Sequence, residues 1–327
     1  MKARAISATV TMIIALLFGW TDEARAAQTE IWLGGVDPVV QNDRHVGEPA
    51  DFMQMFTPDA PWSTAASKLT AFKISTQFVL RGSDDQLRTF LSDLQRRHIG
   101  VALELGTLVL SERCGFHVEG YASPRGVEAA AKRIKSVGGV LDYVAMDEPV
   151  WFGHIFTSGS GGRVGCQDPI TDLADQVAPK LAILREYFPN VQIGDVEPVN
   201  ARKPEFIRDI ITFVDAIRQK TGMSFAFVHA DIAWSTNWQP MLQELAMQLR
   251  GRGIRFGVIC DGDVNAGGNE AWVDQAVQRC TSIAANPSTR PDDFIVQSWE
   301  PLPTKMLPES DPGSLTYEVL KVDRLLH

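Results

Sequence analysis

From near residue 30 to its end the chain alternates between two patterns. Short apolar runs rich in β-branched and aromatic residues give way to segments with the 3.6-residue period of an amphipathic helix. Eight runs read as strands: 30–36, 72–80, 100–108, 141–146, 191–195, 225–230, 254–260 and 294–299. Helical segments include 84–97, 171–187, 204–219, 239–250 and 270–284. Their starts are marked by Ser83-Asp84 and Thr171-Asp172, and stops by Gly138-Gly139 and by Gly251 and Gly253. Strands apolar on both faces, each joined to the next through a helix, need a parallel sheet that is covered all round. Eight such units predict an α/β fold, a single (β/α)8 TIM barrel. An open doubly wound sheet would carry a Gly-rich phosphate turn after its first strand, and Gly34-Gly35-Val36-Asp37 is no GxGxxG. Long connections after strands one and four, at 37–70 and 149–170, are expected over the C-terminal face.

With 327 residues, 45% hydrophobic and 22% charged, the chain has an ordinary globular composition. Collagen, coiled coil and wholesale disorder are excluded. The net charge of -9 opposes a broad grip on nucleic acid or anionic lipid. Residues 1–26 read as a secretory signal: Lys2 and Arg4, an apolar stretch from Met12 to Phe18, and Ala24-Arg25-Ala26 before a cut at Ala27. An uncleaved anchor is the alternative. Residues 27–327 then form one barrel domain, secreted or periplasmic, with no later membrane span and a monomer expected. Export allows disulfides. Cys114 and Cys166 lie in Gly-rich connections that a bridge could join; Cys260 and Cys280 read as two buried thiols.

In such a barrel the chemistry is built where the strands end. Those ends are rich in carboxylates: Glu104, Asp147-Glu148, Asp195 and Glu197, Asp231 beside His229, Asp261 with Asp263, and Glu300, with Arg81 after strand two. Crowded anions raise one another's pKa, and that keeps a general acid protonated at neutral pH. Trp62, Trp151, Trp234, Trp238 and Trp299 are expected at the same end, where flat apolar faces beside acids suit sugar rings. Any one of these side chains could instead be structural, a Trp closing the core or a carboxylate capping a helix.

The segment Leu141-Asp142-Tyr143-Val144-Ala145-Met146-Asp147-Glu148-Pro149 resembles the strand-four Asn-Glu-Pro motif of the clan A superfamily of retaining glycoside hydrolases, with Asp147 in place of Asn. Phe227-Val228-His229, Val79-Leu80-Arg81 and Trp299 resemble that superfamily's strand-six, strand-two and strand-eight segments. The resemblance implies a retaining glycosidase acting on an oligo- or polysaccharide, without cofactor or metal. Glu148 would be the acid/base and Asp261 or Glu300 the nucleophile, with Arg81, Asp147, His229 and Trp299 lining the substrate site; the strand ends and aromatic cluster add Asp195, Glu197, Asp231, Trp151 and Trp234 to that lining. The superfamily's nucleophile is a Glu that ends strand seven, where this chain has Asp261. Two other readings stand beside it: a divalent-metal barrel of the sugar-isomerase or phosphodiesterase kind, held by Glu148, Glu197, His229, Asp261 and Glu300, and a non-catalytic glycan-binding barrel.

Overall fold

The computed structural model describes residues 29–40 and 51–327, so the signal-like segment 1–26 lies outside the described residues. Eight strands form the barrel: β1 (Glu30–Gly34), β2 (Ala71–Ser75), β3 (Gly100–Leu105), β4 (Tyr143–Asp147), β5 (Gln192–Val199), β6 (Phe227–Ile232), β7 (Arg255–Cys260) and β8 (Asp293–Gln297). All pairings between them are parallel and follow chain order, and β1 pairs with both β2 and β8 to close the ring. Helices α1 (Asp84–Arg97), α2 (Gly126–Ser136), α3 (Ile170–Tyr187), α4 (Phe206–Thr221), α5 (Gln239–Arg250), α6 (Asn269–Ala284) and α7 (Leu315–Asp323) follow β2 to β8 in turn. Local chemistry sets their ends. Ser83 and Gln86 form a reciprocal capping box at the start of α1, and Gly222 takes the left-handed conformation that ends α4.

Alternation along each strand divides two cores. Inside the barrel, every strand contributes one residue to a single cluster: Trp32, Ala71, Ala102, Ala145, Val196, Phe227, Ile259 and Ile295. The large Trp32 fills the space that three alanines leave, which is how a barrel interior reaches solid density. Neighbouring residues face outward and join the larger core beneath the helices.

The expected second strand ends early. Ser75 is extended and its hydroxyl accepts a hydrogen bond from Phe78 N–H at 3.0 Å, so Thr76–Arg81 is a short helix and Arg81 sits in its last turn. The run Phe78-Val79-Leu80 is apolar because the helix packs on the barrel, a signal that periodicity over six residues cannot separate from a strand. Between β3 and α2 lies a connection that carries a two-stranded ladder, Leu108–Val109 with Tyr121–Ala122.

Cys114 and Cys166 are joined, as expected. Cys260 and Cys280 are also joined, not free thiols. Cys260 ends β7 facing outward, and Cys280 lies on the helix that covers the same strand, with Cα atoms 5.9 Å apart. Among the described residues no helix is long and apolar enough to cross a membrane.

Candidate active site

The inner cluster fixes what reaches the barrel mouth, because a strand returns to the same face two residues later. From Ala71, Ala102, Ala145 and Ile295 that step gives Lys73, Glu104, Asp147 and Gln297. Lys73 is buried and pairs with the Glu104 carboxylate, which also accepts from Gln297 Nε2 at 3.4 Å. Asp147 accepts from Gly120 N–H at 3.4 Å. On β6 the inward positions are Phe227, His229 and Asp231, and Asp231 is the one that reaches the mouth.

Glu148 follows β4 in the left-handed region, φ 47°, a conformation that costs a non-glycine residue energy unless its surroundings hold it. Here the backbone is held on both sides. Glu148 N–H donates to Val196 C=O at 3.1 Å, Phe152 N–H donates to Glu148 C=O at 3.0 Å, and Pro149 follows directly. The resulting turn brings the Glu148 carboxyl to the same pocket as Asp231. A pocket of 80 Å³ is lined by this pair with Glu104, Glu119, Asp147, Gln297 and Trp299. It opens toward a cleft of 820 Å³ over β1, β2, β3 and β8, and the two share Glu104, Glu119, Asp147, Gln297 and Trp299.

Burial is the largest cause of raised carboxyl pKa values throughout this mouth. Glu148 is pushed well above the usual range by burial and then by the charges of Asp231 and Asp147. Asp147 is pushed up to about 8 by burial and by Glu104 and Glu119, against the opposing Lys73. Asp231 rises to about 6, because the opposing charge of Lys73 offsets part of its burial. A protonated Asp147 can donate a hydrogen bond, as the Asn in the motif it resembles would.

The other carboxylate candidates and His229 do not line the small pocket. Asp195 and Glu197 lie on either side of the inward Val196 and therefore face outward. Asp195 is fully buried with neither carboxylate oxygen hydrogen-bonded, and burial raises its pKa well above the usual range. Glu197 accepts from Val150 N–H at 2.6 Å and Trp151 N–H at 3.0 Å, so it holds the segment after Glu148. His229 lies inside the barrel stacked on Phe227, with Nε2 3.4 Å from Asp293, and burial lowers its pKa. Asp261 accepts from the Trp234 indole and is pushed up to about 8, chiefly by burial. Arg279 lies over the Trp234 ring, 4.9 Å from its centroid, and donates to Asp261 C=O at 2.7 Å. Glu300 lies toward Asp263 and Arg279, with its pKa raised mainly by burial. The β7 residue that lines the small pocket is Ile259.

Of the five tryptophans, Trp299 lines both cavities. Trp62 is buried beneath Arg97 and donates to Met55 C=O at 2.7 Å. Trp151 packs on Phe206, and Trp234 on Trp238. Arg81 does line the large cleft. Strand-end reading did not place Lys73, Gln297 or Glu119 in the site. The first two were within reach of the two-residue step from the interior alanines and isoleucine; Glu119 stands in a connection whose path the sequence does not reveal. Among the described residues no group of three or more His, Cys, Asp or Glu is arranged to hold a metal ion.

No protein-family model matches the chain, and no curated protein matches it. Solved structures do resemble it. The GH53 catalytic domain of Ignisphaera aggregans has a TM-score of 0.55 at 11% identity, covering 92% of this chain and 96% of that one. A thermostable mutant of a xylanase from Cellvibrio japonicus has 0.53 at 13% identity over 92% and 99% of the two chains. Xylanase 10B of Thermotoga maritima has 0.51 at 10% identity over 92% and 95%. The chain thus shares the fold of these proteins, a single (β/α)8 barrel.

Proposed function

We propose that the protein is a glycoside hydrolase in which Glu148 is the general acid and Asp231 the second carboxylate. The observation that carries this reading is that the Glu148 and Asp231 carboxyls line one small pocket at the floor of a cleft walled by Trp299. Two half-buried carboxyls that face one small pocket cannot both be ionised cheaply, so one proton is retained near neutral pH. Asp231, with the lower pKa, holds the charge; Glu148 holds the proton. Glu148 delivers that proton to the leaving glycosidic oxygen. Asp231, now the nearest anion, faces the positive charge that develops at the anomeric carbon. Retention requires carboxyls about 5–5.5 Å apart. On this reading the sugar sits between the two carboxyls, Asp231 attacks the anomeric carbon as the glycosidic oxygen leaves with the proton from Glu148, and water then releases the sugar from Asp231. Asp147, protonated, donates to a substrate hydroxyl, while Glu197 and His229 keep structural posts behind the site.

Xylanases among the structural neighbours support a plant-type or related polysaccharide as the substrate class. Two disulfides suit an oxidising compartment and support export directed by residues 1–26. One observation favours a second reading, a glycan-binding barrel without activity: Ile259 occupies the pocket wall on the strand to which the resemblance assigns the nucleophile. The test is hydrolysis of an oligosaccharide panel by the protein and by Glu148→Gln, each with and without EDTA. Cleavage that resists the chelator and is lost in Glu148→Gln is expected. Sugar that binds but is never cut would favour the binding barrel, and cleavage abolished by EDTA would favour a metal enzyme.

A further inference from the structure

The connection after β3 is rigid and yet presents an aromatic ring to the cleft. Phe116 is 67% exposed, lines the large cavity and lies against His117 with ring centroids 4.1 Å apart. The residues around it are tied down. Cys114 is bonded to Cys166, Gly115 N–H donates to Val164 C=O at 2.8 Å, and Leu108 N–H donates to Gly120 C=O at 2.8 Å. Gly115, with φ 86°, also lies against the Tyr121 ring, where an added Cβ would come within 2.5 Å of it, so only glycine fits. An apolar ring left in water by a loop with this many constraints gains nothing for the fold, and rigid exposed aromatics are the usual anchors of binding surfaces.

Around the barrel β8 neighbours β1, β1 neighbours β2 and β2 neighbours β3. Trp299 after β8 and Phe116 after β3 both line the same cleft, and Glu119, three residues beyond Phe116, also lines the pocket of Glu148 and Asp231. We propose that Phe116 is a platform for a second sugar ring, beyond the one held at Glu148, so that the substrate is a chain of sugars and not a single-sugar glycoside. This rests on the glycosidase reading of the site. The ring offers its face to the C–H side of a pyranose, and the polar groups of His117 and Arg163, which line the same cleft, lie within the wall that would meet the hydroxyls.

The experiment measures binding of xylo- and cello-oligosaccharides of increasing length to the full chain carrying Glu148→Gln, by calorimetry, alone and combined with Phe116→Ala or Phe116→Tyr. Affinity is expected to rise about tenfold when the sugar becomes long enough to reach the platform. Phe116→Ala should remove that step and Phe116→Tyr should keep it. Thermal unfolding of each variant checks the fold, which an exposed side chain should leave unchanged. If Phe116→Ala retains the full length-dependent gain, the platform is overturned while the carboxylate reading stands. If no oligosaccharide binds the Glu148→Gln protein at any length, both fail together.

Discussion

The carboxylate of Glu197 lies on the outer face of β5 and accepts hydrogen bonds from both Val150 N–H, at 2.6 Å, and Trp151 N–H, at 3.0 Å. It therefore anchors the turn whose preceding residue is Glu148. Removing the acceptor leaves one buried and one half-buried donor without partners, each a desolvation cost in itself. Glu197→Ala is expected to destabilise the protein by about 2–4 kcal/mol in urea titration. Its kcat should fall while KM changes little, since the substituted residue touches no substrate. Unchanged stability would contradict the anchoring role.

The pH profile of hydrolysis follows from the order of the two carboxyls. Activity should rise through about pH 6 as Asp231 loses its proton and fall at higher pH as Glu148 loses its own. In Asp231→Asn the acid limb should vanish along with about 10²–10⁴-fold of the rate. An acid limb that survives this substitution would assign the ionisation to another group.

Stability should respond to pH in the opposite sense from a protein held by salt-bridged carboxylates. Asp147 and Asp261 have folded pKa values of about 8 against 3.8 when unfolded. Between those values the native state keeps protons that the unfolded chain gives up. Their contribution is therefore fully present below about pH 4 and is lost as pH rises to about 8. Asp147→Asn should raise Tm at pH 8 by about 2–4 °C relative to the parent and change it less at pH 5. Equal shifts at both pH values would show that ionisation of Asp147 is not what matters.

Cys114–Cys166 closes a sequence separation of 52 residues, so its loss should cost up to about 4 kcal/mol. Paired Cys114→Ser and Cys166→Ser replacements should also weaken oligosaccharide binding, since the bridge fixes the Phe116 connection. Denaturation and binding measured on the same variant check both. A variant that loses stability and keeps its affinity would separate the staple from the site.

The barrel was legible because its signal repeats: eight strands, most ending within a few residues of where apolar runs give way to acids, and helices bounded by residues such as Ser83 and Gly222. Glu148 was legible through Asp147-Glu148-Pro149. Its partner was not. Asp231 and Asp261 end adjacent strands in similar runs, and which one meets Glu148 depends on strand stagger and on Trp234 holding Asp261, neither of which leaves a local mark. Asp195 and Glu197 read as site residues because the apolar run suggests a strand ending at Asp195, but β5 continues to Val199 and alternation from Val196 turns both outward. The second disulfide was missed because Cys260 and Cys280, each apolar in context, meet only when helix α6 folds back on β7.

Side-by-side hydrolysis by Asp231→Asn, Asp261→Asn and Glu300→Gln decides which carboxyl works with Glu148. Asp231→Asn should lose about 10²–10⁴-fold in kcat/KM, while the other two keep their rates within about tenfold. An active Asp231→Asn beside an inactive Asp261→Asn or Glu300→Gln would contradict the pairing of Glu148 with Asp231.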